Sequence, residues 1–65
     1  MVKEGNFYVC IKDWHKLGTS FTCGKIYRCH KDHCMYDDFG AEKASVGNLF
    51  RLATKEEIKN IKNKN

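Results

Sequence analysis

The sequence contains no proline and a single tryptophan, and it has no long apolar run. The absence of proline excludes a Pro-rich disordered linker. The longest apolar run, residues 7–11, has five residues, whereas a membrane-spanning helix needs about 20. No apolar stretch of signal-peptide length follows Met1. We therefore expect a protein that has no membrane partner and stays in the cytoplasm.

The length of 65 residues predicts one domain, spanning residues 1–65. A chain this short buries only about 60% of its unfolded surface. It has little room for an enclosed substrate cavity, which typically needs roughly 300 Å³. Size therefore favours a shallow binding surface and argues against an enzyme.

The net charge is +4, from twelve basic and eight acidic residues. A mild basic excess permits attraction to phosphate or to an acidic partner. It is weaker than the basic stripe typical of a dedicated nucleic-acid binder, and it also suits an ordinary solvated surface.

Short apolar segments bounded by turn residues indicate a mainly β chain. They predict strands over residues 7–11, 25–30, 33–37 and 48–52. A tight turn at Lys31 and Asp32 would make the second and third strands an antiparallel hairpin. We interpret residues 12–20 as a polar loop and residues 38–40 as a turn, and residues 41–47 give no clear signal.

The end of the chain carries a helix-start signal. Thr54 is followed three residues later by Glu57, the spacing of a capping box. This predicts a short helix at about 55–62, with Ile58 and Ile61 on one face, and a frayed tail over 63–65.

Four or five short antiparallel strands must curl to bury one side of their sheet. The favoured fold is therefore a small SH3-like open barrel with a core over about residues 6–53. An OB-like barrel is the second choice, because it usually needs a longer chain.

Four segments together resemble a known group of proteins: residues 8–13 (YVCIKD), 21–27 (FTCGKIY), 37–40 (DDFG) and 50–54 (FRLAT). The pattern resembles small SH3-like barrel proteins encoded by phages and prophages of Gram-positive bacteria. The resemblance implies an SH3-like fold. It also implies a host-takeover role, in which the protein binds and inhibits a host protein in the host cell cytoplasm.

Cysteines and histidines cluster in the middle of the chain, and three interpretations of them stay open. Cysteine is often a small buried hydrophobe, which best explains Cys10 in its apolar run. A zinc-stabilised module is the second; its candidate ligands are Cys23, Cys29, His30, His33 and Cys34. The third is a cross-strand disulfide between Cys29 and Cys34. Free thiols and no bound metal or cofactor are the default expectation for a cytoplasmic chain.

Catalysis by these cysteines is disfavoured. A cysteine nucleophile needs an activating base, and adjacent Cys and His residues on one strand point to opposite faces. We therefore predict no catalytic residues.

A binding surface is predicted around the single tryptophan and the hairpin tip. Trp14 lies among polar residues, and exposed tryptophan often carries binding energy. The candidate partner-binding residues are Trp14, His15, Lys16, Arg28 and Lys31. The alternatives are that Trp14 folds back over the core and that the tip is simply solvated.

Three functional hypotheses follow, and they separate by partner. The first is a binding protein that modulates a host protein. The second is a small barrel that binds nucleic acid, which requires Tyr8, Tyr27, Tyr36 or Trp14 exposed beside lysines. The third is the zinc-stabilised module. A free strand edge could pair two copies, so both a monomer and a homodimer are compatible with the sequence.

Overall fold

The computed structural model describes residues 2–62 and is mainly β with a short C-terminal helix, as predicted. The predicted tail over 63–65 lies outside the described residues. Within residues 2–62 there are seven short strands, more than the four or five expected. They are β1 Phe7–Cys10, β2 Trp14–Lys16, β3 Thr19–Phe21, β4 Ile26–Arg28, β5 Cys34–Tyr36, β6 Glu42–Ala44 and β7 Phe50–Leu52. The helix α1 spans Lys55–Lys62, and a 3-10 turn Gly47–Leu49 precedes β7.

The strands form three antiparallel sheets. Strand β1 is central in a sheet of order β4-β1-β7, whereas β2 pairs with β3 and β5 pairs with β6. In the larger sheet Tyr8 lies between Tyr27 of β4 and Leu52 of β7. Tyr8, Val9 and Cys10 are all buried, so both faces of this central strand are covered.

One core joins the three sheets. The rings of Phe21, Tyr27 and Phe50 meet edge to face, with centroids 5.1 to 5.4 Å apart, an arrangement favoured by the ring quadrupoles. Phe21 and Met35 are completely buried. The core begins earlier than predicted, because Val2 is also part of it.

The prediction of a loop over 12–20 was wrong, because this segment holds the β2–β3 hairpin. Leu17 and Gly18 form its two-residue turn with φ angles of 55° and 73°. Positive φ at both central residues is the turn geometry that matches strand twist. Leucine is an unusual choice there, and for that reason the sequence pattern did not reveal the hairpin.

The predicted hairpin of residues 25–30 and 33–37 was also wrong. Strand β4 pairs with β1, and β5 pairs with β6. The chain turns at Asp32 and His33, one residue later than expected, and His33 adopts a left-handed φ of 69°. The N-terminal segment occupies the neighbouring space: Val2 O accepts a hydrogen bond from His33 N at 2.9 Å.

The C-terminal helix starts as predicted. Glu57 N donates to Thr54 Oγ1 at 3.1 Å, and Thr54 N donates to Glu57 Oε1 at 2.8 Å, which completes the capping box. Arg51 of β7 adds a bidentate ion pair with Glu57. The Arg51 guanidinium and the capping bonds lower the pKa of Glu57 to about 2. No helix among residues 2–62 is long and apolar enough to cross a membrane.

Phe21→Ala should destabilise the protein by about 3–5 kcal/mol, because it empties the centre of the aromatic cluster. The matched control is Phe39→Ala, whose side chain is exposed and whose loss should cost less than about 0.5 kcal/mol. Thermal and urea unfolding followed by circular dichroism compare the two. Equal stability losses would contradict the assignment of the core to Phe21.

Candidate functional site

Within residues 2–62, the two most exposed large apolar side chains lie on adjacent loops. Leu17, at the tip of the β2–β3 hairpin, is 91% exposed, and Phe39, in the turn after β5, is 74% exposed. Phe39 shares a shallow depression of about 270 Å³ with the residues that flank Leu17. We call this surface the hairpin patch; it consists of His15, Lys16, Leu17, Gly18, Thr19, Ser20 and Phe39.

Asp37 fixes the loop that carries Phe39. Its buried carboxylate accepts hydrogen bonds from Phe39 N at 3.0 Å and Ala41 N at 2.9 Å through Oδ1, and from Ser20 N at 3.2 Å through Oδ2. Burial alone would raise the pKa of Asp37, but these bonds outweigh it and the pKa lies below its ordinary value. The carboxylate therefore ties the turn to strand β3.

The carboxylate of the neighbouring residue, Asp38, accepts more hydrogen bonds than that of Asp37. Ser20 Oγ, Thr22 Oγ1, Lys25 Nζ and Tyr27 Oη all donate to its carboxylate at 2.7 to 2.9 Å. Partial burial would raise the pKa of Asp38, but these donors lower it well below its usual range. Burial, together with the bond to Asp38, raises the pKa of Tyr27 to about 12. Asp38 thus joins β3, β4 and the segment between them.

His15, Ser20 and Asp38 form a hydrogen-bonded chain, but in an order that does not activate a nucleophile. Ser20 Oγ donates its only proton to Asp38 at 2.9 Å. It must therefore accept from His15 Nδ1–H, 2.7 Å away. In a hydrolase triad the histidine would instead accept the serine proton. This chain orients the side chains of the hairpin patch.

Trp14 lies on strand β2, not on a loop, and is half-buried. It packs against the core with Val46, and the Lys16 ammonium lies 4.3 Å from the centroid of its ring. The ring therefore helps to cover the core, and it also forms one wall of a groove of about 340 Å³. We call this second depression the Trp14 groove.

The predicted partner-binding residues are divided between two sheets. Trp14, His15 and Lys16 follow one another on β2, and the latter two are exposed. Arg28 is exposed on β4, opposite Phe7 of β1. Lys31 is exposed at the turn after β4, where its backbone forms an isolated antiparallel β-bridge with Cys34.

Leu17 and Phe39 were not among the binding residues predicted from the sequence. The one available signal was an apolar residue beside a turn glycine, which occurs at both Leu17-Gly18 and Phe39-Gly40.

The cysteines and histidines of residues 23–34 are dispersed. Cys23 is exposed in a turn, whereas Cys29 and Cys34 are buried with free thiols. Cys29 Sγ donates to Lys31 O at 2.9 Å. His30 stacks on Tyr36 with ring centroids 3.8 Å apart. Across residues 2–62, no three His, Cys, Asp or Glu side chains are grouped so that they could hold a metal ion.

Two further residues of these types are Cys10, which lies outside this segment, and His33, which lies within it. Cys10 is buried, as predicted, and burial raises the pKa of its thiol. His33, on the turn after β4, is exposed.

Most of the tyrosine rings that could stack on nucleic-acid bases are buried or packed against another side chain. Tyr8 and Tyr27 are buried, and their hydroxyls accept hydrogen bonds from Lys3 N and Thr22 N. Tyr36 is half-exposed, but one face of its ring lies against His30. These three tyrosines therefore offer few exposed ring faces on which a base could stack.

Comparisons with protein-family models, with curated proteins and with solved structures find no match to this chain.

Asp38→Asn should reduce stability by about 1.5–3 kcal/mol at neutral pH, because it removes a charged acceptor from four donors. The folded-state pKa of Asp38 lies below its ordinary value of 3.8. Its contribution is therefore present above that value and is lost as the pH falls through the folded-state pKa. Unfolding measured from pH 7 to pH 2 should show a shallower acid decline in the variant. A decline as steep as that of the parent protein would contradict this role, and Glu56→Gln on the exposed face of α1 serves as the control.

Proposed function

We propose that this protein binds another protein through the hairpin patch and modulates its activity. The resemblance to phage-encoded proteins supports a bacterial host protein as the partner and inhibition as the effect. It also supports an SH3-like open barrel formed by the three sheets around Phe21. Under this proposal the protein acts in the cytoplasm of the host cell.

Leu17 carries this proposal. Its side chain is 91% exposed, and its φ of 55° is a left-handed conformation that costs a non-glycine residue about 1–2 kcal/mol. Asparagine or glycine would satisfy both the turn and the solvent better. A residue that is unfavourable for both conformation and solvation, and has no compensating contact in the fold, is expected at a functional position.

Phe39 extends the apolar surface beside Leu17. Asp37 and Asp38 hold the loop of Phe39 against β3, so the two side chains are presented on ordered backbone. Such pre-organisation lowers the entropic cost of association. The cationic residue of the patch is Lys16, and no acidic residue lines the depression. The complementary partner surface is therefore apolar with a negative rim.

Nucleic acid is the less well supported alternative, because Tyr8 and Tyr27 are buried and one face of the Tyr36 ring lies against His30. The zinc-stabilised module remains a third hypothesis, and no grouping of side chains within residues 2–62 adds support to it. The proposal for the oligomeric state is a monomer that binds one partner molecule.

The test is affinity capture from nuclease-treated bacterial lysate, followed by titration of each identified protein in purified form. Leu17→Asn keeps the left-handed turn and removes the apolar contact, and Phe39→Ser removes its neighbour. Each should weaken binding at least about tenfold, equivalent to about 1.4 kcal/mol.

Leu52→Ser is the matched control, because Leu52 is also exposed, at 60%, but lies on β7. It should leave the affinity within about twofold. Binding that survives both patch variants, or that disappears with nuclease treatment, would contradict the proposal.

A further inference from the structure

The Trp14 groove lies between the β2–β3 hairpin and strand β6. Trp14 and Thr19 line it from the hairpin, Lys43 and Ala44 line it from β6, and Val46 and Leu49 from the segment that follows. Its volume of about 340 Å³ is enough for one or two side chains and lies at the lower end of the range of ligand pockets, roughly 300–1,000 Å³.

The groove and the hairpin patch use different faces of the hairpin. The register pairs Trp14 with Phe21 and His15 with Ser20, so alternation places Trp14 on the core-facing side and His15 on the opposite side. Thr19 borders both depressions. The groove is therefore a second surface, and its occupancy does not depend on the proposed function of the patch.

Strand β6 presents an unpaired edge beside this groove. Asp37 N donates to Ala41 O and Ser45 N donates to His33 O, both at 3.0 Å. In an antiparallel pair the bonded positions alternate, so residues 41, 43 and 45 face β5. The backbone N–H and C=O groups of Glu42 and Ala44 point away from β5, and no hydrogen bond from residues 2–62 reaches them.

The charged side chains around the groove indicate which kind of peptide it can bind. Lys43 is the one charged side chain among the lining residues, and the Lys16 ammonium lies over the Trp14 ring. Glu42 lies on the free edge of β6, and its carboxylate is paired with His30 Nε2 at 3.0 Å. An apolar floor, a positive rim and a free strand edge together match an extended peptide that alternates apolar and acidic side chains.

A second copy of this chain fits the edge poorly. If two copies paired their β6 strands antiparallel along the full strand, Glu42 of each copy would lie opposite Ala44 of the other. Lys43 would then lie opposite Lys43 of the other copy. Like charges directly opposite each other destabilise a strand pair. The edge is thus better suited to a partner strand with acidic side chains.

We infer that the free edge of β6 and the Trp14 groove form a peptide-binding site for an extended segment with alternating apolar and acidic residues. The segment adds a strand to the β5–β6 sheet. One of its apolar side chains contacts Trp14, Val46 and Leu49, and an adjacent carboxylate lies near Lys43.

The probe is a synthetic decapeptide that alternates valine and aspartate, titrated into the ¹⁵N-labelled full chain and followed by NMR. The amides of Glu42 and Ala44 and the Trp14 indole N–H should shift together. The same peptide with lysine in place of aspartate should bind at least about tenfold more weakly. N-methylation of the peptide bonds that face β6 should also weaken binding about tenfold, because it removes strand pairing.

Lys43→Gln should weaken the aspartate peptide about threefold, in keeping with a partly exposed ion pair, whereas Lys55→Gln on α1 should not change its affinity. Leu17→Asn should leave the peptide shifts unchanged, which separates this site from the hairpin patch. The inference would be overturned by peptide-induced shifts centred on Leu17 and Phe39, or by equal affinity for the lysine and aspartate peptides. It would also be overturned if the protein dimerised through β6 without peptide, or if a single-stranded oligonucleotide displaced the peptide.

Discussion

The structure depends on two adjacent carboxylates that hold the hairpin and the following loop together. Asp37 and Asp38 accept bonds from donors on β3, on β4 and within their own turn, and Asp38 N also donates to Ser20 O at 2.8 Å. A domain of this size has little apolar surface to bury. Charged hydrogen bonds, each stronger than a neutral one, therefore fix backbone that a small core alone would leave mobile.

The same constraint explains why exposed apolar residues are tolerated beside the hairpin. The loop at Phe39 is tied to β3 by bonds between Ser20 and the carboxylates of Asp37 and Asp38, and the side chains of Leu17 and Phe39 themselves are exposed. Binding residues on loops held by a rigid scaffold are the usual arrangement for recognition. The hairpin carries the hairpin patch on one face and borders the Trp14 groove on the other.

The parts of the fold that could be predicted from the sequence are those with local signals. The apolar run at β1 and the capping box of Thr54 and Glu57 were identified because their patterns are contiguous. The β2–β3 hairpin was not, because three-residue strands give weak alternation and Leu17 replaces a typical turn residue. For the site, Trp14, His15 and Lys16 were predicted as binding residues of a loop, and the structure places them on strand β2 instead. The contribution of Asp38 was unpredictable, because its four donors come together only in the folded chain.

The most direct test of the central claim is photocrosslinking in bacterial cells that produce the protein with a photoreactive residue at one position. If the hairpin patch binds the partner, one discrete protein adduct should form when that residue replaces Leu17 or Phe39, and no corresponding adduct should form when it replaces Leu52. An adduct of similar yield at all three positions, or an adduct only at Leu52, would show that the hairpin patch is not where this protein meets its partner.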